Sequence, residues 1–269
     1  MESVSVLLTV HDREPEVLLA TLRSLSRSGL SDSQIVIVDD RSGMDYSWVR
    51  AYATPRFKEV LWQPTGNYEG FRVDGYGNPA HAFNVGLALC TKPCLVVMSS
   101  DVIVTPKAVK SMDRFWNHEC LWTPRVNDLD TNLEYCGPTR PFPMPWMLAM
   151  PTGIAQDCGG WDERFLGGLC YEDNDFVGRV ALRLGTVRCD WDAVVFHQSH
   201  VQPAYDVKSD EILAANQRNR DICKGKWRGI PFDPDTTPFQ ITKKPDPMGC
   251  VRLEITNEAM KAEMFGVKA

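Results

Sequence analysis

The sequence lacks the features that mark several common classes of protein. Its nine cysteines are irregularly spaced and include no CxxC pair, so the sequence signals neither a zinc site nor a disulfide framework. No stretch approaches the roughly 20 apolar residues of a membrane-spanning helix. The N-terminal residues also lack the basic and apolar regions of a signal peptide. We therefore expect a soluble chain with free thiols in a reducing cytoplasm.

Basic residues are also fewer than acidic ones. The chain has 29 lysines and arginines against 35 acidic residues, and its formal net charge of -6 disfavours a protein that coats nucleic acid through a general basic field. One local exception is a basic patch around Trp227, formed by Arg218, Arg220, Lys224, Lys226 and Arg228. Such a patch fits a solvated helix end, a lid over a diphosphate or a site for an anionic acceptor.

What the sequence does contain is an alternation of short buried strands and helices. The mostly apolar runs 4–10, 35–38 and 95–98 are typical of strands buried on both faces, and Pro15 and Pro79 each open a helical pattern. This alternation predicts an α/β fold, with an open and mostly parallel sheet flanked by helices.

Polar clusters follow three of these predicted strands directly. They occupy residues 9–12, 39–40 and 99–101, and each contains at least one aspartate. One such cluster is ordinary turn chemistry. Three of them at strand ends predict a shared crevice, because ligands of open α/β sheets bind at the carboxyl ends of the strands. We expect the crevice to hold a polar ligand, with or without a metal.

The second half contains one further acidic cluster. A glycine-rich segment over 159–168 precedes a helix predicted from about 172 to 184, whose first turn carries Glu172, Asp173 and Asp175. The helix dipole stabilises negative charge there. Beyond residue 231 the sequence is rich in proline, so we expect one domain over 1–230 and a wrapping tail over 231–269.

Four motifs, in this order, resemble the family-2-type inverting glycosyltransferases of GT-A fold. The opening VSVLLTVHDREPE with IVIVDDRSG is similar to the donor-binding start, and NPAHAFNVGLALC to a helix motif of that family. VMSSDVIVTP stands where the family has Asp-x-Asp, and GGWDERFLGGLCYEDNDF resembles the Glu-Asp block of galactosyl- and N-acetylgalactosaminyltransferases. The resemblance covers about residues 3–200. It implies a Rossmann-like sheet with a smaller mixed sheet, a donor half over about 1–105 and an acceptor half over about 106–230.

The resemblance also implies a function and the residues that perform it. The implied activity is that of a hexosyltransferase that uses a nucleotide-sugar, most often a UDP-sugar, with Mn²⁺ or Mg²⁺. Asp173 matches the catalytic base beside Glu172, and Asp101 and His197 match the metal ligands. The donor-binding positions are Thr9, His11, Asp40, Arg72, Asn84, Ser99 and Ser100, and the acceptor or sugar pocket would contain Trp161 and Asp162.

One position departs from the family pattern. Ser99 replaces the first aspartate of Asp-x-Asp, which removes one formal charge from the implied metal site. A sugar-nucleotide-binding protein that has lost catalysis is therefore an alternative. A nucleotidyltransferase is another, although it would need a glycine-rich phosphate loop after the first strand. The sequence leaves the acceptor open among a saccharide, a lipid-linked sugar, a protein and a modified nucleic-acid base.

Overall fold

The structure is a computed structural model that describes residues 3–73, 76–115, 119–200, 209–246 and 249–266. Its strands are β1 (Val4–Val10), β2 (Gln34–Asp39), β3 (Glu59–Pro64), β4 (Arg72–Val73), β5 (Tyr76–Gly77), β6 (Cys94–Ser99), β7 (Val102–Ile103), β8 (Leu121–Asp128), β9 (Glu134–Cys136), β10 (Met147–Pro151), β11 (Thr186–His197), β12 (Gln240–Pro245) and β13 (Val251–Thr256). Its helices are α1 (Pro15–Arg27), α2 (Ser47–Ala53), α3 (Ala80–Leu89), α4 (Pro106–Phe115), α5 (Thr152–Asp157), α6 (Glu172–Leu184), α7 (Asp210–Trp227) and α8 (Glu258–Phe265), with a short 3-10 helix at Glu163–Gly167.

One continuous mixed sheet organises the molecule. Its order is β12-β13-β11-β8-β10-β6-β1-β2-β3, with β7 beside β11 and β9 beside β8, while β4 and β5 form a separate hairpin. Strands β6, β1, β2 and β3 are parallel, β10 runs antiparallel to β6 and β8, and β11 is parallel to β8. The predicted α/β class is confirmed, but the smaller mixed sheet is an extension of the main one. As a result β1, β2, β6, β8 and β11 all end at the same edge.

A hydrophobic core covers each face of this sheet. Because side chains alternate along a strand, Val6 and Leu8 of β1 enter one core with α1, whereas Leu7 enters the other. Helix α1 contributes Leu22 to the first core, at the helical spacing that the sequence shows. Both faces of the central strands are therefore buried, which explains their nearly continuous apolar sequences.

The C-terminal segment is part of the same fold. Strand β13 pairs with β11, with Leu253 opposite Val187, and both side chains are buried in the second core. The amide of Asn174 donates to the carbonyl of Pro231 at 3.0 Å. Residues after 231, predicted as a tail, thus supply two strands and a helix. Within the described ranges, no helix is both long and apolar enough to cross a membrane.

Candidate active site

The strand ends bring the predicted polar clusters to one edge of the sheet. Thr9 lies opposite Ser99 in the pairing of β1 with β6, and Val10 lies opposite Asp39 in the pairing of β1 with β2. Adjacent strands are about 4.8 Å apart, so these side chains occupy neighbouring positions along the edge. His197 ends β11 at the same edge, opposite Asp128 of β8.

A short antiparallel pairing carries His197 to Asp101. Strand β7 places Val102 opposite His197, and the backbone amide of Gln198 donates to the carbonyl of Asp101 at 2.8 Å. The Nε2 atom of His197 lies 3.7 Å from Oδ1 of Asp101. The Nε2 atom of His200 lies 3.3 Å from Oδ2 of the same carboxylate. The structure therefore joins the two predicted metal ligands and adds a third residue to them.

The chemistry of these three side chains fits a divalent cation. Potential ligand atoms of Asp101, His197 and His200 all lie within 4.8 Å of one another. Asp101 is only 2% exposed, and its Oδ1 atom has no hydrogen-bond partner among the described residues. A buried carboxylate oxygen without a partner is costly unless a cation or another donor reaches it. Burial would raise the pKa of Asp101, but His200, Arg13 and His197 outweigh it and lower that pKa to about 2.

Arg13 approaches the same carboxylate from the loop after β1. One guanidinium nitrogen, Nη2, lies 3.0 Å from Oδ2 of Asp101. The carboxyl of Asp12 accepts from the backbone amide of Gly43 at 2.6 Å, and the hydroxyl of Tyr46 donates to the carbonyl of Arg13. These contacts fix the backbone of the loop and leave the long side chain of Arg13 to span the gap to Asp101.

A second cluster surrounds Asp40 at the end of β2. Asp40 is 3% exposed and accepts from the hydroxyl of Tyr68 at 2.9 Å. Arg72 lies 3.4 Å from its carboxylate and donates to its carbonyl at 3.0 Å, and a second Arg72 nitrogen lies 3.2 Å from Nδ1 of His11. Burial and the Arg72 charge lower the pKa of His11. Three predicted donor-binding residues, His11, Asp40 and Arg72, are thus in mutual contact.

A cleft of about 250 Å³ lies at the ends of β1 and β6. Its lining residues are Thr9, Pro79, Phe83, Ser99, Met144, Pro145, Trp146 and Asp173. Ser99 lines the cleft, and its side chain is close enough to Asp101 to help lower the pKa of that carboxyl. Ser100 behind it is buried, and its carbonyl accepts from the hydroxyl of Thr21 at 2.9 Å. The structure therefore places Thr9, Ser99 and Asp173 in one cleft, whereas Ser100 is buried and does not line it.

The predicted acidic pair begins α6. Glu172 is buried and accepts from the amide of Asn78 at 2.9 Å, while Asp173 faces the cleft. Burial raises the pKa of both carboxyls, and the Asp173 charge raises that of Glu172 further. The two preceding residues, Cys170 and Tyr171, have φ angles of 61° and 69°. Non-glycine residues rarely adopt such angles, and they often do so where a backbone positions a functional group.

Trp161 and Asn84 form a support for Asp173. Trp161 is 1% exposed and is stacked between Phe83 and Phe176, with ring centroids 4.4 and 3.6 Å away. Its indole nitrogen donates to Oδ1 of Asp173 at 3.0 Å. The amide group of Asn84 bonds to both the backbone amide and the carbonyl of Trp161, each at 2.8 Å. Trp161, predicted in the sugar pocket, therefore has no free face for a sugar, and Asn84, predicted as a donor-binding residue, holds its backbone.

Asp162 and Lys226, a residue of the basic patch, form their contacts away from the cleft. Asp162 caps the 3-10 helix by accepting from the backbone amide of Arg164, and it lines a separate depression with Lys226. Lys226 Nζ lies 3.0 Å from Asp162 and 2.6 Å from the fully buried Asp175, and Arg179 also binds Asp175, at 2.8 Å. Lys226 therefore serves an internal ion-pair network. Asp162 contributes to that network rather than to the cleft.

Several residues of the site were missed by sequence reasoning. His200 follows His197 by three residues, and this HxxH spacing was the available signal. No signal in the sequence indicated Arg13 or Asn78. The partner of Arg13, Asp101, lies 88 positions away, and the partner of Asn78, Glu172, lies 94 positions away. The cleft wall formed by residues 144–146 was also missed.

With this geometry established, the comparison with known families is decisive. Residues 5–166 match the sequence profile of Glycosyl transferase family 2. The chain belongs to Glycosyl transferase family 2. The match includes the ends of β1, β2 and β6 and the Gly160–Leu166 segment, and it stops before Asp173 and His197. A comparison with curated protein sequences finds no match.

Solved structures of glycosyltransferases share the fold of this family 2 member. S. aureus TarS superposes with a TM-score of 0.59 at 14% identity, over 82% of this chain and 43% of that one. GalNAc-T7 with UDP, GalNAc and Mn²⁺ superposes with a TM-score of 0.57 at 13% identity, over 84% of this chain and 49% of that one. The mannosyltransferase PcManGT from Pyrobaculum calidifontis, with GDP-Man and Mn²⁺, has a TM-score of 0.55 at 14% identity, over 76% of this chain and 58% of that one. The chain spans less than two thirds of each of these proteins.

Proposed function

We propose that this chain transfers a hexose-type sugar from a nucleotide-sugar to an acceptor hydroxyl, with inversion at the anomeric carbon. The supporting observation is the adjacency of two groups at one cleft. Asp173 lines the cleft, and so does Ser99, which stands two residues before Asp101 of the Asp-His-His cluster. A proton acceptor and the end of β6, the strand that leads to the cation-binding cluster, thus border one cavity, and displacement of a diphosphate needs both groups near each other.

In the proposed reaction Asp173 is the general base. The acceptor oxygen attacks the anomeric carbon while the bond from that carbon to the diphosphate oxygen breaks, and Asp173 takes the hydroxyl proton. Burial raises the pKa of Asp173 toward neutrality, and a base whose pKa lies near the working pH transfers protons most effectively. The Trp161 indole would hold one carboxylate oxygen and leave the other toward the acceptor.

The cation would be held by Asp101, His197 and His200. Such an ion offsets the negative charge that develops on a departing diphosphate. Two imidazoles and one carboxylate suit Mn²⁺ better than Mg²⁺, which prefers an all-oxygen shell with several waters. Ser99 supplies a neutral hydroxyl, so the described cluster offers a single carboxylate for the cation.

The His11, Asp40 and Arg72 cluster would receive the nucleoside. It lies at the ends of β1 and β2, next along the edge from the Thr9–Ser99 pair. We propose UDP as the carrier. Three similar structures contain UDP or a UDP-sugar and one contains GDP-Man, so both carriers belong in the test.

The first test measures nucleotide release and donor binding together. Wild type is incubated with UDP-GlcNAc, UDP-GalNAc, UDP-glucose, UDP-galactose and GDP-Man, in Mn²⁺ and in EDTA, and calorimetry gives donor affinity. We expect Asp173→Asn to bind the best donor normally and to lose about 10²–10⁴-fold in turnover, because general-base catalysis typically contributes that much. The exposed Asp130→Asn is the matched control and should behave as wild type.

Two results would redirect this proposal. Turnover by Asp173→Asn at the wild-type rate would remove the base assignment. Tight donor binding by wild type without any turnover would favour the second candidate, a sugar-nucleotide-binding protein. The observation that supports this candidate is Ser99, which replaces an aspartate of the family pattern. The family match favours glycosyl transfer over nucleotidyl transfer.

A further inference from the structure

Two cationic groups would contact the Asp101 carboxylate, the guanidinium of Arg13 and the proposed divalent ion. Its Oδ2 atom lies 3.0 Å from Arg13 and 3.3 Å from Nε2 of His200, and its Oδ1 atom lies 3.7 Å from Nε2 of His197. An ion bound to Asp101 and both imidazoles must enter the space between these atoms. Arg13 is thus in direct contact with the carboxylate that the ion needs.

One carboxylate cannot balance both charges. The guanidinium carries one positive charge and the ion two, and Asp101 is 2% exposed, so solvent screens their repulsion little. An aspartate at position 99 would have added a second negative charge, but this chain has Ser99 there. The repulsion between Arg13 and the ion therefore falls on Asp101, because the neighbouring Asp128 carboxylate lies beside Nδ1 of His197, at 3.9 Å, and outside the cluster.

Arg13 has spare hydrogen-bonding capacity for another anion. A guanidinium carries five N–H donors. The Nε atom of Arg13 is buried and has no hydrogen-bond partner among the residues that the structure describes. The ion pair with Asp101 uses one terminal nitrogen. The loop backbone is fixed by Asp12 and Tyr46, so the side chain can reorient without moving the fold.

We propose that Arg13 and the divalent ion compete for Asp101, and that the displaced guanidinium binds the diphosphate of the donor. The inference rests on the proposed function, because it takes the metal cluster and the nucleotide-sugar from it. The ends of β1 and β6 are adjacent, so a guanidinium that leaves Asp101 stays beside the cleft where the diphosphate would lie. Metal and donor binding are then linked through one side chain.

The test is a titration of Mn²⁺ into nucleotide-free protein, followed by the electron paramagnetic resonance signal of the free ion. Arg13→Gln removes the competing charge, and we expect it to bind Mn²⁺ about tenfold more tightly, which is the size of one charge-assisted contact. Arg13→Lys keeps the charge and should stay near wild type. Arg23→Gln, on the exposed face of α1, loses the same charge away from the site and should also match wild type.

A second arm measures nucleotide affinity at saturating Mn²⁺. Arg13→Gln should bind UDP about tenfold more weakly, because one charged contact to the diphosphate is lost. Uridine, which has no phosphate, should bind wild type and variant equally. If Arg13→Gln does not fold, Arg13→Met preserves the apolar part of the side chain and undergoes the same titrations.

The outcomes separate this inference from the proposed function. Equal Mn²⁺ affinities of wild type and Arg13→Gln would overturn the competition while leaving the metal cluster in place. No Mn²⁺ binding by either protein would overturn both the cluster and the competition. Binding by Arg13→Gln alone would support the competition in its strongest form. An unchanged UDP affinity would overturn the diphosphate contact.

Discussion

At the residue scale, the hydrogen bond from Trp161 to Asp173 offers a direct probe of the base. Trp161→Phe retains an aromatic ring between Phe83 and Phe176 but removes the indole donor. That donor stabilises the ionised carboxylate, so its loss should raise the pKa of Asp173. A hydrogen bond to a charged group corresponds to a shift of about one to two pH units.

The measurement is the pH profile of turnover. We expect the acid limb of the Trp161→Phe profile to move to higher pH, with kcat lowered at neutral pH and the KM for the donor little changed. Trp48→Phe, at a partly buried position of α2 that packs against the first core, makes the same change of side chain away from the cleft and should keep the wild-type profile. Superimposable profiles for Trp161→Phe and wild type would contradict the positioning role.

The residues of the site differed in how well the sequence could predict them. Asp101 and His197 follow strands directly, and parallel strands of one sheet end at a common edge, so their meeting was predictable. Trp161 was predicted in the sugar pocket and Asn84 at the donor, yet Trp161 is stacked between two aromatic rings and Asn84 bonds to its backbone. A motif fixes a position along the chain but not the direction of a side chain, which depends here on the stacking of Phe83 and Phe176.

At the element scale, helices were easier to predict than edge strands. Helix α6 has the predicted bounds, because acidic residues mark its first turn and Gly185, with φ of 71°, ends it. Strands β12 and β13 were predicted as part of a tail. All of β12 is exposed and most of β13 is partly exposed, so neither has a continuous apolar sequence. Strand β12 pairs with β13, and the pairing of β13 with β11 is a long-range contact that local patterns do not encode.

The structural importance of β13 is testable by a matched pair of substitutions. Leu253→Ala removes a side chain that is 3% exposed and packs in the second core, and it should lower the free energy of unfolding by about 2–5 kcal/mol. Ile241→Ala, on the neighbouring β12, removes a side chain that is 40% exposed and should cost far less. Denaturant unfolding gives both values. Similar values for the two variants would show that β13 is a peripheral strand.

At the scale of the whole molecule, the fold buries several ionisable side chains. The free energy that this burial costs depends on whether each side chain is charged, and therefore on pH. Asp175 illustrates this: the sequence shows an i,i+4 pair with Arg179, typical of an exposed helix face, but both side chains are buried with Lys226 and Trp227. Glu172 lacks such a cation among the described residues and accepts only from Asn78 there. The sequence indicates which residues are acidic, and the packing of α6 against α7 and the sheet decides which are neutralised.

This difference predicts how stability depends on pH. Burial and the Asp173 charge raise the folded-state pKa of Glu172, so the folded protein holds a proton that the unfolded chain releases. Stability from this group is present below its unfolded pKa and is lost as pH rises through its folded pKa. Glu172→Gln mimics the protonated form. It should raise the melting temperature by several degrees at about pH 8, and by much less at about pH 5. Thermal unfolding monitored by circular dichroism measures this, with the exposed Glu211→Gln as the control. A difference between Glu172→Gln and wild type that does not change with pH would mean that Glu172 is ionised in the folded protein.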